Sequence, residues 1–318
     1  MHQKITRRDA LRCGAAAGVG LTTALASSAP AAAADKRPAD EPFGYCFNTS
    51  TIRGQKLGIV AQVEVAAKAG YQGFEPWLGD ITKYTKAGGS LADLKKRIVD
   101  AGLSVESAIA FSAWIVDDEK QRANGLEQAK RDMDVLRQIG GKRIAAPPVG
   151  AVKGDVLDLF HVAKRYRALL EVGDQMGVVP QVEVWGFSKN LSRLGESIFV
   201  AVESGHPKAC LLPDVYHIYK GGSDFTGLGL LAGSAIGIFH VNDYPADPPR
   251  KTIKDAHRVY PGDGVAPLKA IFTRLAASGF RGMLSLELFN PDYWQQDALK
   301  VARTGLEKTR AAVRKSFS

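Results

Sequence analysis

Residues 155–185 read DVLDLFHVAKRYRALLEVGDQMGVVPQVEVW and contain the repeating unit from which the fold can be predicted. The amphipathic stretch from Asp155 to Met176 predicts a helix, and Gly177 supplies the left-handed turn with which helices often end. The run Val179–Trp185 that follows is apolar and β-branched without strict alternation, which is typical of a parallel strand covered on both faces. This segment therefore predicts one helix–strand unit of an α/β protein.

The same unit recurs along the chain. Eight apolar runs are candidate strands: Phe43–Thr49, Gly73–Trp77, Ser104–Phe111, Arg143–Pro147, Val179–Trp185, Ala209–Val215, Ile236–Asn242 and Met283–Leu288. Amphipathic stretches lie between them, several followed by glycine, and a last helix is predicted over Gln296–Val313. Eight strand–helix units in about 275 residues favour a closed barrel over an open sheet. We therefore predict a single (β/α)₈ TIM barrel over residues 43–318.

The N-terminal segment is predicted to lie outside the barrel. Residues 6–11 (TRRDAL) form a twin-arginine pattern, followed by an Ala/Gly-rich apolar run over 14–29 and a small-residue cleavage pattern at 32–34. These features predict a Tat-type signal peptide over residues 1–34 and a polar linker over 35–42. The apolar run is shorter than the roughly 20 residues that a membrane span needs. We therefore expect an exported, periplasmic or secreted protein without a stable membrane anchor, although a retained anchor stays open as an alternative.

The charge of the chain gives little support to a nucleic-acid partner. The formal net charge is +9, of which the predicted signal peptide carries +3. The remaining Lys and Arg residues are dispersed among acidic residues on helical stretches, a pattern that indicates a solvated surface. No nucleic-acid partner is therefore predicted.

Metal-binding residue types end four consecutive predicted strands. Active sites of barrels lie at the C-terminal ends of the strands, and the fifth to eighth strands end in Glu183, Asp214, His240 and Glu287. Three carboxylates and an imidazole among apolar neighbours are costly to bury without compensation, which a divalent cation provides. One nitrogen and several oxygens suit Mn²⁺, Mg²⁺ or Co²⁺, with Zn²⁺ also compatible. We predict one divalent metal ion, with Mn²⁺ preferred.

Other polar and aromatic residues near strand ends are candidates for substrate contacts. Glu75 ends the second strand and is predicted to bind substrate, the alternative being a salt-bridge partner or a loop cap. His217 follows Asp214 by three residues, which favours a substrate contact over a surface histidine. Trp185 follows Glu183 closely and is predicted to form part of an apolar wall for a sugar ring, with core packing as the alternative. The same two interpretations apply to Trp77, Trp114 and Phe289.

Several of these motifs occur together in one known group of enzymes. Residues 43–315 resemble the xylose-isomerase-like barrel superfamily, in particular its sugar phosphate isomerase/epimerase group, which includes tagatose 3-epimerases, hydroxypyruvate isomerases and inosose dehydratases. The motifs that carry the resemblance are Val182-Glu183, the D-x-x-H of Asp214 to His217, His240 in His-Val-Asn-Asp, Pro261-Gly262-Asp263-Gly264, and the strand 284–288 with Glu287.

The resemblance implies a role for each matching residue. Glu183, Asp214, His240 and Glu287 correspond to the metal ligands of the group. Glu183 and Glu287 also correspond to the two carboxylates that move protons on opposite faces of a cis-enediolate. His217 and Arg258 correspond to residues that bind substrate oxygens. Arg258 lies in the longest irregular stretch, Tyr244–Asp263, which is predicted to be a functional loop over the site.

The leading hypothesis is a metal-dependent isomerase or epimerase of a keto sugar or related polyol. A lyase or dehydratase that acts on an inosose or a 3-keto-glycoside is the nearest alternative, because it begins with removal of the same proton. Two further classes are a non-catalytic sugar-binding barrel, which would not require both Glu183 and Glu287, and a nuclease like endonuclease IV. The nuclease class needs more histidines than the five that follow the signal peptide. The oligomeric state stays open, and a homodimer is compatible with the sequence.

Overall fold

Eight parallel strands alternate with helices in the computed structural model, which describes residues 41–318. The strands are β1 (Gly44–Asn48), β2 (Gly73–Glu75), β3 (Ser104–Val105), β4 (Arg143–Ala146), β5 (Val179–Glu183), β6 (Leu211–Leu212), β7 (Phe239–Val241) and β8 (Met283–Leu286). The predicted signal peptide, and the predicted linker as far as residue 40, lie outside the described residues.

The strands close into a barrel. Five of them pair in the order β3-β2-β1-β8-β7 and the other three in the order β4-β5-β6. The backbone N–H of Ala145 donates to the carbonyl oxygen of Ala108 at 2.9 Å, which joins the chain after β3 to β4. On the other side, the N–H of His240 donates to the carbonyl of Pro213 at 2.9 Å and joins β6 to β7. The predicted (β/α)₈ barrel is confirmed.

All eight predicted strands are present, but three of them, β3, β6 and β7, keep fewer than half of their predicted residues. β6 has two residues and ends before Pro213, which has no N–H to donate. After β3 the chain forms an isolated bridge between Ile109 and Trp77 and the bond from Ala145 to Ala108, but no further strand before β4. The strand ends that carry the predicted ligands are therefore partly loop, although they keep their places around the barrel.

The helices follow the strands in the predicted alternation. They are α1 (Ile59–Ala69), α2 (Leu78–Lys86), α3 (Leu91–Asp100), α4 (Glu119–Gln138), α5 (Leu159–Met176), α6 (Leu194–Glu203), α7 (Val215–Gly221), α8 (Leu268–Ala277), α9 (Pro291–Trp294) and α10 (Ala298–Phe317). The sequence did not indicate α2, α7 and α9, which are short and begin close to strand ends. Among the described residues, no helix is long and apolar enough to cross a membrane.

The last helix shows how the helices cover the barrel. α10 buries Val301, Gly305, Leu306 and Val313 at helical spacing along one face. A Cβ atom at Gly305 would lie 2.2 Å from Cδ2 of Leu286 on β8, so glycine is required for this close approach. Helix α10 therefore packs directly on the strand that leads to Glu287.

The predicted loop over 244–263 is anchored at both ends. Asp243 and Val259 form an antiparallel bridge. The Asp243 carboxylate also accepts backbone N–H groups of Gly262 at 3.0 Å, Gly264 at 3.2 Å and Ala266 at 2.9 Å. These bonds fix the end of the loop that carries Arg258 and place its side chain inside the barrel mouth.

Candidate metal centre and substrate pocket

Three of the four predicted ligands converge at the C-terminal ends of the strands. One ligand atom from each of Asp214, His240 and Glu287 lies within 4.8 Å of the others, and all three residues are buried. The Nδ1 atom of His240 is 3.2 Å from Oε2 of Glu287 and 3.8 Å from Oδ2 of Asp214. The possible metal-ligand atoms of the three residues therefore converge on one point.

Glu75 orients the imidazole of this cluster. Its Oε2 atom lies 2.9 Å from Nε2 of His240 and also accepts hydrogen bonds from Nδ2 of Asn48 at 2.9 Å and Oγ of Ser285 at 2.7 Å. An ionised carboxylate only accepts hydrogen bonds, so the Nε2 atom carries the hydrogen. In the neutral imidazole the lone pair is then on Nδ1, directed towards Asp214 and Glu287. A carboxylate behind a histidine in this way is a common arrangement at metal sites.

The chemistry of the cluster suits a divalent cation. The Nδ1 atom of His240 is buried and, although it lies 3.2 Å from Oε2 of Glu287, it makes no well-aligned hydrogen bond among the described residues. Burial lowers the pKa of His240, but the charges of Glu287 and Glu75 outweigh it and raise this pKa well above its usual value. The imidazole is thus held where a positive charge is stabilised. A metal ion at Nδ1 would supply that charge, so these residues fit the predicted group.

Glu183 lines the same pocket without joining the tight cluster. It ends β5 and is 4% exposed, but it is not one of the three residues whose ligand atoms lie within 4.8 Å of one another. Burial, with smaller contributions from Glu287 and Asp214, raises the pKa of Glu183 to about 8 against the opposing effect of His240. Its role as a fourth ligand therefore stays a prediction.

Arg258 is fully buried and contacts both the ligand cluster and other residues that line the pocket. Its Nη1 atom donates to Oδ2 of Asp214 at 3.0 Å and to Oε2 of Glu287 at 2.9 Å. Its Nη2 atom lies 3.0 Å from Nε2 of His217 and 2.5 Å from Oδ1 of Asp255. Arg258 therefore offsets part of the negative charge of the ligands and holds His217 beside them.

His217 lies at the pocket, where the sequence predicted a substrate contact. It is the third residue of α7, and its backbone N–H donates to Oδ1 of Asp214 at 2.8 Å. Burial and the neighbouring Arg258 lower the pKa of His217. Its ring nitrogens face the backbone N–H of Gly186 at 3.3 Å (Nδ1) and Nη2 of Arg258 at 3.0 Å (Nε2), so the substrate contact of His217 stays a prediction.

The pocket has a volume of about 260 Å³. Its polar lining consists of Glu183, His217, Asp255, Arg258 and Glu287, and its apolar lining of Trp77, Ile109, Phe111, Trp185, Phe187 and Phe289. Trp185, Trp77 and Phe289 therefore line the pocket, and their contact with a sugar ring stays a prediction. Trp114 does not: it is 0% exposed and packs against Tyr166 in the core, with its Nε1 atom donating to the carbonyl of Pro147.

The structure does not support the predicted substrate contact at Glu75. This side chain is 0% exposed, does not line the pocket and is engaged by His240, Asn48 and Ser285. Its position matches the alternative interpretation, a carboxylate that pairs with a neighbouring side chain.

Further polar residues that the sequence did not single out support the site. Nδ2 of Asn48 also donates to Oε1 of Glu287 at 3.2 Å, and Nδ2 of Asn242 donates to Oδ2 of Asp214 at 2.9 Å. The carboxylate of Asp255 accepts a hydrogen bond from Nη2 of Arg258. Two of these residues could have been predicted from the sequence. Asn48 ends a strand, as the proposed ligands do, and Asn242 lies two residues after His240.

Comparison with known proteins assigns the chain to a family. Residues 63–312 match the xylose isomerase-like TIM barrel family. An inosose isomerase from Bacillus velezensis is 27% identical over 276 residues, which cover 86% of this chain and 98% of the relative. A 3-dehydroshikimate dehydratase from Pseudomonas aeruginosa is 26% identical over 241 residues, 73% of this chain and 36% of the relative. The solved structure of the IOLI protein with a bound zinc atom superposes with a TM-score of 0.80 at 24% identity, covering 87% of this chain and all of that one. The chain is therefore a member of the xylose isomerase-like TIM barrel family.

Proposed function

We propose that this enzyme transfers a proton at the carbon next to the carbonyl group of a keto sugar or related polyol, as an isomerase or epimerase. The observation that carries the proposal is the convergence of Asp214, His240 and Glu287 on one point, with Glu183 in the same pocket. Relatives that are named isomerases, epimerases and dehydratases support the assignment to an enzyme.

The same residues are proposed to hold one divalent cation. Asp214, His240 and Glu287 would bind it, with Glu183 as the fourth ligand that the family resemblance implies. We propose Mn²⁺ because the donors are one nitrogen and several carboxylate oxygens. When bound, the cation polarises the substrate carbonyl and offsets the negative charge of the enediolate.

The protein side chains would supply the proton transfers and the orientation of the substrate. Glu183 and Glu287 are the two carboxylates that end strands and line the pocket, so one can take the carbon-bound proton and the other can return it. Arg258 and His217 lie 3.0 Å apart at the same depth and would hydrogen-bond the substrate oxygens on which charge develops.

A lyase or dehydratase is the second candidate. The match to a 3-dehydroshikimate dehydratase favours it specifically. The reaction would begin with the same proton removal and end with expulsion of a substituent from the neighbouring carbon, so the residues would keep the same roles until the second bond breaks.

The test is incorporation of solvent deuterium into candidate substrates. The Mn²⁺-loaded protein would be incubated in D₂O with ketohexoses, inososes and 3-keto-glycosides, and the products followed by NMR and mass spectrometry. We expect exchange at the carbon next to the carbonyl, and loss of at least about 100-fold in Glu287→Gln. Products of unchanged composition indicate an isomerase or epimerase, whereas loss of water or of a substituent indicates a lyase.

Metal content must be measured in the same samples, because Glu287 is also a proposed ligand. Glu106→Gln is a matched control, since Glu106 is a half-buried carboxylate bonded to Ser104 and does not line the pocket. Full metal occupancy without exchange on any of these substrates would refute the proposed function.

A further inference from the structure

The pocket is divided into a polar floor and an apolar rim. The polar floor consists of the four buried polar residues Glu183, His217, Arg258 and Glu287, and Arg258 hydrogen-bonds Glu287 and contacts His217 within it. Asp255, which also accepts from Arg258, is the fifth polar residue of the lining, and its side chain is 36% exposed. The rim is formed by five aromatic residues, which we call the aromatic collar: Trp77, Phe111, Trp185, Phe187 and Phe289. A ligand that fills both parts must have one polar end and one apolar end.

The collar is a continuous arc of rings. The ring centroids of Phe289 and Trp77 are 6.1 Å apart, those of Trp77 and Phe111 5.2 Å, and those of Phe111 and Trp185 6.3 Å. Trp185 lies 5.1 Å from Phe187, whose ring is 5.4 Å from the imidazole of His217. These separations are typical of interacting aromatic pairs. The arc therefore begins and ends next to the floor.

The polar edge of Trp77 is already satisfied within the protein. Its Nε1 atom donates to Oδ1 of Asn48 at 3.2 Å, and the guanidinium of Arg53 lies 4.1 Å from the ring centroid. Trp77 is therefore fixed in orientation and presents apolar surface to the pocket.

The outermost rings remain accessible to solvent. Phe111 is 45% exposed and Phe187 is 43% exposed. Clustered exposed rings at a pocket mouth indicate a binding surface. A free polyol that extended into the collar would lose water at its distal hydroxyl groups and find few side-chain hydrogen-bond partners there, because Arg53 stacks on Trp77 and Asp255 already pairs with Arg258. This exchange is unfavourable.

We propose that the natural substrate is a keto sugar that carries a planar, apolar substituent, such as the aryl aglycone of a keto-glycoside. The sugar would occupy the floor and the planar group would pack in the collar. That the polar part of the substrate is a keto sugar rests on the proposed function. That the substrate also carries a planar, apolar group rests on the collar alone.

The test compares matched pairs of unreactive ligands, so that binding is measured without turnover. Methyl and phenyl β-D-pyranosides of glucose, galactose and mannose would be titrated into the Mn²⁺-loaded protein by calorimetry. We expect at least one phenyl glycoside to bind about fivefold or more tightly than its methyl partner, since each added aromatic contact strengthens binding by a few-fold. Phe111→Ala and Phe187→Ala should each reduce this ratio towards one.

Phe160→Ala is the matched control. Phe160 is also an exposed phenylalanine, at 57%, but it packs against Phe199 on helices α5 and α6 and does not line the pocket. This variant should keep the wild-type ratio. Circular dichroism would verify that all three variants remain folded.

The outcomes separate this inference from the proposed function. A phenyl preference that depends on the collar, without deuterium exchange on any keto sugar, would support the inference and count against the proposed reaction. Rapid exchange on free keto sugars, with no phenyl preference in any pair, would overturn the inference and leave the reaction intact. A change of oligomeric state in the Phe111 and Phe187 variants, without a phenyl preference in the wild type, would also overturn it, because the collar would then be a contact between copies of the chain.

Discussion

Replacement of Glu75 by glutamine tests whether this residue acts on the metal site or on the substrate. Glu75 is 0% exposed, and its Oε2 atom lies 2.9 Å from Nε2 of His240. The substitution keeps the size of the side chain and removes the negative charge. The imidazole loses a charge-assisted hydrogen bond, and with it part of the electron density that makes Nδ1 a good ligand.

The size of the expected loss of metal affinity follows from the contacts that Glu75 makes. The three donors from His240, Asn48 and Ser285 can still be accepted by an amide oxygen at the Oε2 position. The Oε1 atom, however, has no hydrogen-bond partner among the described residues, so the amide –NH₂ placed there would be buried with unsatisfied donors. Changes behind a ligating histidine commonly weaken metal binding by about 10- to 100-fold, or about 1.4–2.8 kcal/mol. We expect Glu75→Gln to show a loss in this range.

The assay is competition for Mn²⁺ with a fluorescent chelator, together with thermal unfolding of the metal-free protein. Ser285→Ala is the control, since it removes a donor to the same oxygen at 2.7 Å but keeps the bond between Glu75 and His240, and it should change affinity by less than about threefold. Wild-type metal affinity in Glu75→Gln combined with a large rise in KM would refute this reasoning and restore the substrate contact that the sequence suggested.

Two further predictions concern charge in the site. Metal binding at pH 7 should release about two protons, one from His240, whose pKa is raised well above its usual value, and most of one from Glu183, whose pKa of about 8 keeps it largely protonated in the metal-free protein. Calorimetry in buffers of different ionisation enthalpy measures this number, which should fall by nearly one in Glu183→Gln if Glu183 is a ligand; an unchanged number would remove Glu183 from the ligand set. Arg258→Ala should lower kcat/KM by about 100-fold or more with metal occupancy unchanged, because it removes a hydrogen-bond donor to the substrate but no ligand. Loss of metal in proportion to activity would show instead that Arg258 mainly maintains the ligand cluster.

The sequence predicts the barrel well because the evidence for it is local. Each strand–helix unit shows its own apolar run, amphipathic stretch and closing glycine, and eight repetitions leave few alternatives. The contacts that build the site are not local. Glu75 meets Ser285 across 210 positions, and Asn48 meets Glu287 across 239. No periodicity shows which polar residue at one strand end pairs with another across the barrel, so the sequence does not indicate the contact of Glu75 with His240.

A sequence pattern at three strand ends accounts for part of the aromatic collar. Trp77, Trp185 and Phe289 each lie two residues after a carboxylate that ends a strand, namely Glu75, Glu183 and Glu287. Side chains two positions apart on an extended chain point the same way, so each aromatic ring lies one layer above its carboxylate, towards the barrel mouth. Trp114 has no such spacing from a strand end and packs in the core. The repeated pattern of a glutamate followed two residues later by an aromatic residue therefore predicts three of the five rings of the collar, and two of its glutamates, Glu183 and Glu287, line the pocket with them. Any change of substrate preference should be sought in the second position of this pattern.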